Sequence, residues 1–162
     1  MTAVEVHGIW ERYAEARLVA ALNHRPAHFL DRYEVKGVSQ IPVGLAQFII
    51  RGGERYFNFR SIGELASKGD QLLGKDHNPF RLSQRNRLYL NALSAIRNRI
   101  VHSSNASIKA YKEQLNLAYG TKSPSSPGEF LIVIDRRQSA PIVAGHSRLH
   151  GLIGVVRQEI LT

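Results

Sequence analysis

An arginine and a histidine separated by four residues are the side chains of this sequence best suited to act together in chemistry. They are Arg97 and His102, in the segment RNRIVH that spans residues 97–102. Arginine carries a permanent charge on a planar fork of N–H donors that matches phosphate, and histidine exchanges a proton near neutral pH. The polar side chain of Asn98 follows the arginine directly. Side chains of these types could bind an anion and transfer a proton beside it.

A long amphipathic helix must position these residues. It is predicted by the helical spacing of the apolar residues Leu82, Tyr89, Leu93, Ile96 and Ile100. At about 100° per residue, Arg97 and His102 would lie roughly 140° apart on an unbroken helix. We therefore predict that the helix ends or distorts around Val101, because the serines and asparagine at 103–105 compete for its backbone. Alternatively, the two residues meet their counterparts across a dimer.

The motif and its surroundings resemble the R-x4–6-H signature of the HEPN (higher eukaryotes and prokaryotes nucleotide-binding) superfamily. The resemblance covers roughly residues 83–119. It consists of the long helix, the Arg-Asn…His motif at its end, the Ser/Asn break and a second helix. The Ser/Asn break can cap this second helix, which is predicted from Ile108, Tyr111, Leu115 and Ala118 with Gly120 as its stop. It implies a mainly α fold, a HEPN-like helical bundle with minor extended segments.

The resemblance also implies an activity, that of a metal-independent endoribonuclease without a cofactor. In such homodimers the paired motifs line a cleft, and the ribose 2′-hydroxyl attacks the adjacent phosphate. His102 would be the general base or acid, Arg97 would stabilise the charge on phosphorus, and Asn98 would orient the phosphate or His102. Such proteins commonly act as toxins of toxin–antitoxin systems or as antiviral defence effectors. The substrate would be RNA, because the 2′-hydroxyl is required.

The charge distribution favours an RNA partner as well. The 162-residue chain has a formal net charge of +9, and no acidic residue stands between Asp76 and Glu113. A basic surface attracts a polyanion because phosphate neutralisation releases counterions. One polar strip of the predicted helix, formed by Arg87, Asn91, Ser94 and Asn98, lies beside Arg97, and we expect it to face the RNA. The RNA-binding residues predicted here are Arg87, Asn91, Ser94 and Arg99.

Two other functions are compatible with the same residues. The chain could be a non-catalytic HEPN module that binds RNA or a nucleotide, or that dimerises, and so regulates a partner protein. It could also be an adaptor whose basic face meets an acidic protein such as an antitoxin. In either case Arg97 and His102 would only satisfy the free carbonyl groups and the dipole at a helix end.

The remaining sequence predicts one domain over residues 1–162. A capping box at 2–5 begins a first helix that ends before Pro26, and a loop follows through Gly37. We predict a helix at 43–50, an extended link or strand at 55–59, and a capped helix from 61 to 73. A turn-rich connector at 120–129 precedes a C-terminal extension with a strand at 130–134 and a closing helix at 149–160.

Several classes of site are excluded or disfavoured by composition. The chain has no cysteine, which excludes disulfides and thiolate chemistry and fits a cytoplasmic location. No apolar run is long enough to cross a membrane. His146 and His150 have a metal-binding spacing, yet a solvated helix start is the better interpretation, and no metal site is predicted. Of the aromatic residues Tyr56, Phe57 and Phe59, which could stack on bases, we expect at least two to lie in the core.

Overall fold

Helices make up most of the chain in the computed structural model, which describes residues 1–134 and 145–161. The predicted mainly α fold is confirmed. Within those ranges there is no β-strand, and only an isolated antiparallel bridge joins Ile134 to Ser147. The helices are α1 (Ala3–His24), α2 (Ala27–Arg32), α3 (Val43–Arg51), α4 (Ile62–Leu73), α5 (Gln84–Val101), α6 (Asn105–Tyr119), α7 (Pro127–Ile132) and α8 (Arg148–Leu161), with a 3₁₀ turn at Lys75–His77.

Most helix ends follow the capping signals in the sequence. At the start of α1 the Thr2 N–H donates to the Glu5 carboxylate over 2.6 Å, and the Glu5 N–H donates to the Thr2 hydroxyl. The Ser61 hydroxyl accepts from the Glu64 N–H at the start of α4. Gly120 ends α6 with a φ of +68°, a left-handed conformation that favours glycine. The predicted helices around these signals and the closing helix α8 are confirmed.

Two segments differ from the prediction. The strand predicted at 130–134 is wrong, because most of it belongs to α7. Ser126 and Glu129 form a capping box and Pro127 occupies the first turn, so these residues fix a helix start before the β-branched residues are reached. The connector therefore ends at Ser126. Helix α2 replaces part of the loop predicted after Pro26, and residues 135–144 of the predicted C-terminal extension lie outside the described residues.

The described chain divides into two compact units, and the prediction of a single domain stays a prediction. The first unit consists of Met1–Trp10 and Ser83–Thr162. In it α5 packs against α6, α7 and α8. Its core contains Leu93 and Ile96 from α5, Leu115 from α6 and Phe130 from α7. The contacts of α5 with three other helices bury one of its faces. Its last residues, Ile100 and Val101, are exposed.

The second unit is Glu11–Leu82, in which α2 packs against α4. The buried side chain of Asn78 donates to the Ala66 carbonyl over 2.6 Å and accepts from the Phe80 N–H over 2.8 Å. It thereby joins α4 to the segment that leads out of the 3₁₀ turn. Phe57 and Phe59 are buried and pack on each other. The expectation that at least two of those three aromatic residues lie in the core is confirmed.

An ion pair on α4 gives the second unit a pH-dependent contribution to stability. The Asp70 carboxylate accepts from Arg81 over 3.2 Å and from Asn78 over 2.7 Å, and these bonds lower its pKa, the bond from Arg81 most. A lowered pKa stabilises the fold above the ordinary value of 3.8, and this stabilisation is lost as pH falls through the lowered value. We expect Asp70→Asn to lower the urea midpoint at neutral pH. Below pH about 4, the midpoint of this variant should fall less than that of the parent. Asp31→Asn is the control, and equal acid sensitivity of Asp70→Asn and the parent would contradict this expectation.

Candidate functional site

The candidate site lies where α5 ends and turns into α6. The helix stops at Val101, and His102 has an extended backbone with φ −126° and ψ 131°. Its N–H still donates to the Asn98 carbonyl over 2.8 Å. The predicted end of the helix around Val101 is therefore confirmed. On a continuous helix, the rotation of about 100° per residue would place His102 on a different face from Arg97. The extended backbone of His102 removes this constraint.

The turn that carries His102 is fixed by two serines. The buried Ser107 hydroxyl lies 2.7 Å from the His102 carbonyl oxygen and 2.8 Å from the Ser104 carbonyl oxygen, and it donates to this pair of acceptors. The Ser104 hydroxyl caps α6 by accepting from the Ser107 N–H. The backbone of His102 is thus held on both sides while its side chain is exposed. The sequence predicted a capping role for this segment but not the contact from Ser107.

Arg97 and Asn98 are bonded to each other at the surface. The Arg97 Nη1 donates to the Asn98 Oδ1 over 2.9 Å, and Asn98 is exposed while Arg97 is half-buried. Among the described residues, no carboxylate forms an ion pair with Arg97. Its guanidinium is therefore an oriented cation without a counter-charge. This arrangement can bind an anion, because the N–H donors of Arg97 that are not bonded to Asn98 lie in the plane of its guanidinium.

The residues predicted to bind RNA divide into two groups. Arg87 is exposed, and Asn91 and Arg99 are half-buried on the same helix, so these three remain near solvent. Ser94 is 9% exposed and lies in the interior. The predicted strip is therefore interrupted, and Ser94 does not belong to an open face of α5.

Ser94 takes part in a buried hydrogen-bond network of the first unit. Its hydroxyl donates to the Leu90 carbonyl over 3.1 Å and lies 2.9 Å from the Nε2 of the buried His7. Because the hydroxyl has only one proton, His7 must donate from Nε2 to this oxygen. Burial of a hydroxyl is tolerated when it is bonded in this way. The role of Ser94 here is to join α1 to α5.

The surroundings of the site are basic. No ion pair among the described residues involves Arg87, Arg97 or Arg99, and Lys109 pairs with Glu113 at 3.9 Å on the exposed face of α6. Burial raises the pKa of Tyr111 to about 12, although the nearby guanidinium groups of Arg148 and Arg99 act to lower it. Arg97 and Arg99 near the end of α5 therefore have no ion-pair partner among the described residues, which favours an anionic partner.

No competing metal centre is present in the part of the chain that the structure describes. No group of three or more histidine, aspartate or glutamate side chains there is arranged to hold a metal ion. The rings of His146 and His150 lie 4.5 Å apart, but they supply only two ligands. A cavity of about 710 Å³ in the second unit is lined by residues including His28, Asp31 and His77. It contains none of the predicted site residues.

None of the protein-family models, curated proteins or solved structures compared with this chain gave a significant match. None of the helices described here combines the length and the apolar character needed to cross a membrane.

Proposed function

We propose that this chain is a metal-independent, HEPN-type endoribonuclease whose catalytic residues are Arg97, Asn98 and His102. The observation that carries the proposal is the end of α5, where the helix stops before an exposed histidine, five residues after an arginine that forms no ion pair with a described carboxylate. A general acid or base and a phosphate-binding cation are the two groups that RNA cleavage by its own 2′-hydroxyl requires.

The proposed reaction needs two proton transfers and no other reagent. One His102 imidazole removes the proton from the 2′-hydroxyl, and the 2′-oxygen forms a bond to phosphorus. The bond from phosphorus to the 5′-oxygen breaks, and a second imidazole protonates that oxygen. Arg97, held by Asn98, donates to the phosphate oxygens as their negative charge increases. The products are a 2′,3′-cyclic phosphate and a 5′-hydroxyl.

A homodimer would supply the second imidazole. Ile100 and Val101 are 48% and 50% exposed and directly precede His102. The proposal places the contact between the two copies at these side chains. An antitoxin or another regulatory protein as partner, and a role in defence, are proposed with the activity.

The test of this function is the cleavage of RNA by the purified chain in EDTA. A mixture of single-stranded and structured RNAs is incubated with the parent protein, and the product ends are identified by mass spectrometry. We expect cyclic phosphate ends and, by sedimentation velocity, a dimer. Products with 5′-phosphate ends, or cleavage only after a divalent metal is added, would contradict the mechanism, and a cleaving monomer would contradict the dimer.

The non-catalytic module is the second candidate, and one observation favours it. The Arg97 side chain is already bonded to the Asn98 side chain in the last turns of α5, where a cation also stabilises a helix end without any chemistry. RNA binding by the parent without any cleavage, unchanged in Arg97→Ala, would identify that module.

A further inference from the structure

Buried aromatic rings form a rigid cluster in the first unit. The rings of Tyr89 and Tyr119 lie 5.2 Å apart, and those of Tyr119 and Phe130 lie 5.1 Å apart, both edge to face. All three side chains are buried. A nucleobase cannot stack on rings that are covered in this way, so the cluster can only act as a support for groups at its border.

Two guanidinium groups border this cluster. The Cζ of Arg148, at the start of α8, lies 4.2 Å from the centre of the Phe130 ring and 5.6 Å from that of Tyr119. The Cζ of Arg85, in the first turn of α5, lies 6.0 Å from the Tyr89 ring. Contact of a guanidinium with a ring face is favourable and restricts its rotation. The rings therefore hold both cations in place before any ligand arrives.

Neither guanidinium group has a counter-charge among the described residues. Neither arginine forms an ion pair with a described carboxylate. The Nε of Arg148 and the Nη2 of Arg85 are buried and make no hydrogen bond among those residues. Because both side chains are only half-buried, a phosphate that accepts from the other N–H donors of each fork would supply the counter-charge.

We propose that Arg148 and Arg85 bind phosphates of a single-stranded RNA segment on either side of the aromatic cluster, as a subsite separate from the cleaved linkage. The inference rests on the proposed ribonuclease function for its ligand. The Arg85 Cζ lies 6.0 Å from the Tyr89 ring, the Tyr89 ring 5.2 Å from the Tyr119 ring, and the Tyr119 ring 5.6 Å from the Arg148 Cζ. Phosphates a few nucleotides apart can therefore reach both guanidinium groups.

Arg85 and Arg148 belong to the same compact unit as the end of α5. Since the contacts are to phosphates and the rings are covered, the subsite should add affinity without sequence preference.

The test is RNA binding by variants that carry His102→Ala to prevent cleavage. The probe is a short fluorescein-labelled single-stranded RNA without secondary structure, titrated at several salt concentrations. We expect Arg148→Gln and Arg85→Gln each to weaken binding about fivefold to tenfold at low salt. Each should also reduce the slope of log affinity against log salt by about 0.7, the value for one lost phosphate contact. Arg148→Lys retains the charge without the fork and should give an intermediate loss.

The control is Arg157→Gln, which removes the same charge from an exposed position on α8 and should change affinity by less than about twofold. Equal loss in this control would overturn the subsite, because net charge alone would then explain the effect. An unchanged salt slope in both arginine variants, or no RNA binding by the parent, would overturn it too. If Arg148→Gln does not fold, as judged by circular dichroism, the affinities and salt slopes of Arg85→Gln and Arg148→Lys test the subsite instead.

Cleavage by the parent is measured separately, so that the two proposals can fail independently. Cleavage with unchanged binding in both variants would reject the subsite and keep the ribonuclease. Binding that depends on both arginines without cleavage by the parent would keep the subsite and reject the catalytic function.

Discussion

His102→Ala is expected to lower RNA cleavage by about 10²- to 10⁴-fold, the usual contribution of a general acid or base. The variant should remain folded, because the imidazole is exposed and the hydrogen bonds at this residue are made by its backbone. The measurement is the initial rate of cleavage in EDTA, with the thermal midpoint of the same sample recorded alongside.

His150→Ala is the matched control, since it removes an exposed imidazole elsewhere in the first unit and should leave the rate unchanged. Arg97→Ala should reproduce most of the loss, and Arg97→Lys should recover only part of the rate, because an ammonium group lacks the planar fork. Full activity in His102→Ala would reject the proposed site.

Gly69→Ala is expected to destabilise the second unit by about 2–4 kcal/mol, because overpacking and buried polar groups left unpaired each cost about 1–3 kcal/mol. A Cβ at this position would lie 2.3 Å from the Asn78 Oδ1 and 2.6 Å from its Cγ. Asn78 cannot move aside without losing its hydrogen bonds to Ala66, Asp70 and Phe80. The measurement is the urea midpoint compared with the parent.

Gly44→Ala is the control for the general effect of alanine in a helix. Nothing lies within 4 Å of the Cβ that it would add to α3, so it should leave stability unchanged or raise it by up to about 1 kcal/mol. A Gly69→Ala variant that unfolds at the parent's midpoint would show that Asn78 is not held as tightly as its contacts indicate.

Local signals in the sequence predicted most of the fold. The stripe on α5, the capping residues of α1, α4 and α6, and the glycine after α6 each depend on neighbours within one or two turns. The segment at 130–134 misled the prediction because a short β-branched run fits a strand as well as the end of a helix. The signal that decides it, Ser126-Pro127 with Glu129, stands just upstream in the sequence. Helix α2 was missed because six residues contain too few apolar positions to define a period.

The candidate site was predictable in its residue types and less so in its surroundings. The helix end at Val101 followed from the requirement that Arg97 and His102 share a site. The burial of Ser94 depends on His7, a residue 87 positions away in the sequence, and no local pattern reports such a contact. The pairing of Arg148 with the Phe130 ring also joins residues from separate helices, so it became visible only in the structure.

The turn between α5 and α6 has a consequence for how related chains would diverge. Only residues 102–104 separate the two helices, and the Ser107 hydroxyl spans the turn to the His102 carbonyl. An insertion here would break that bond and the cap of α6 together, whereas substitution of the exposed Ser103 side chain would break neither. We expect natural variation to preserve the distances in Arg-x4-His-x4-Ser more strictly than the residues between them. A search for distant relatives should therefore weigh that spacing above overall identity.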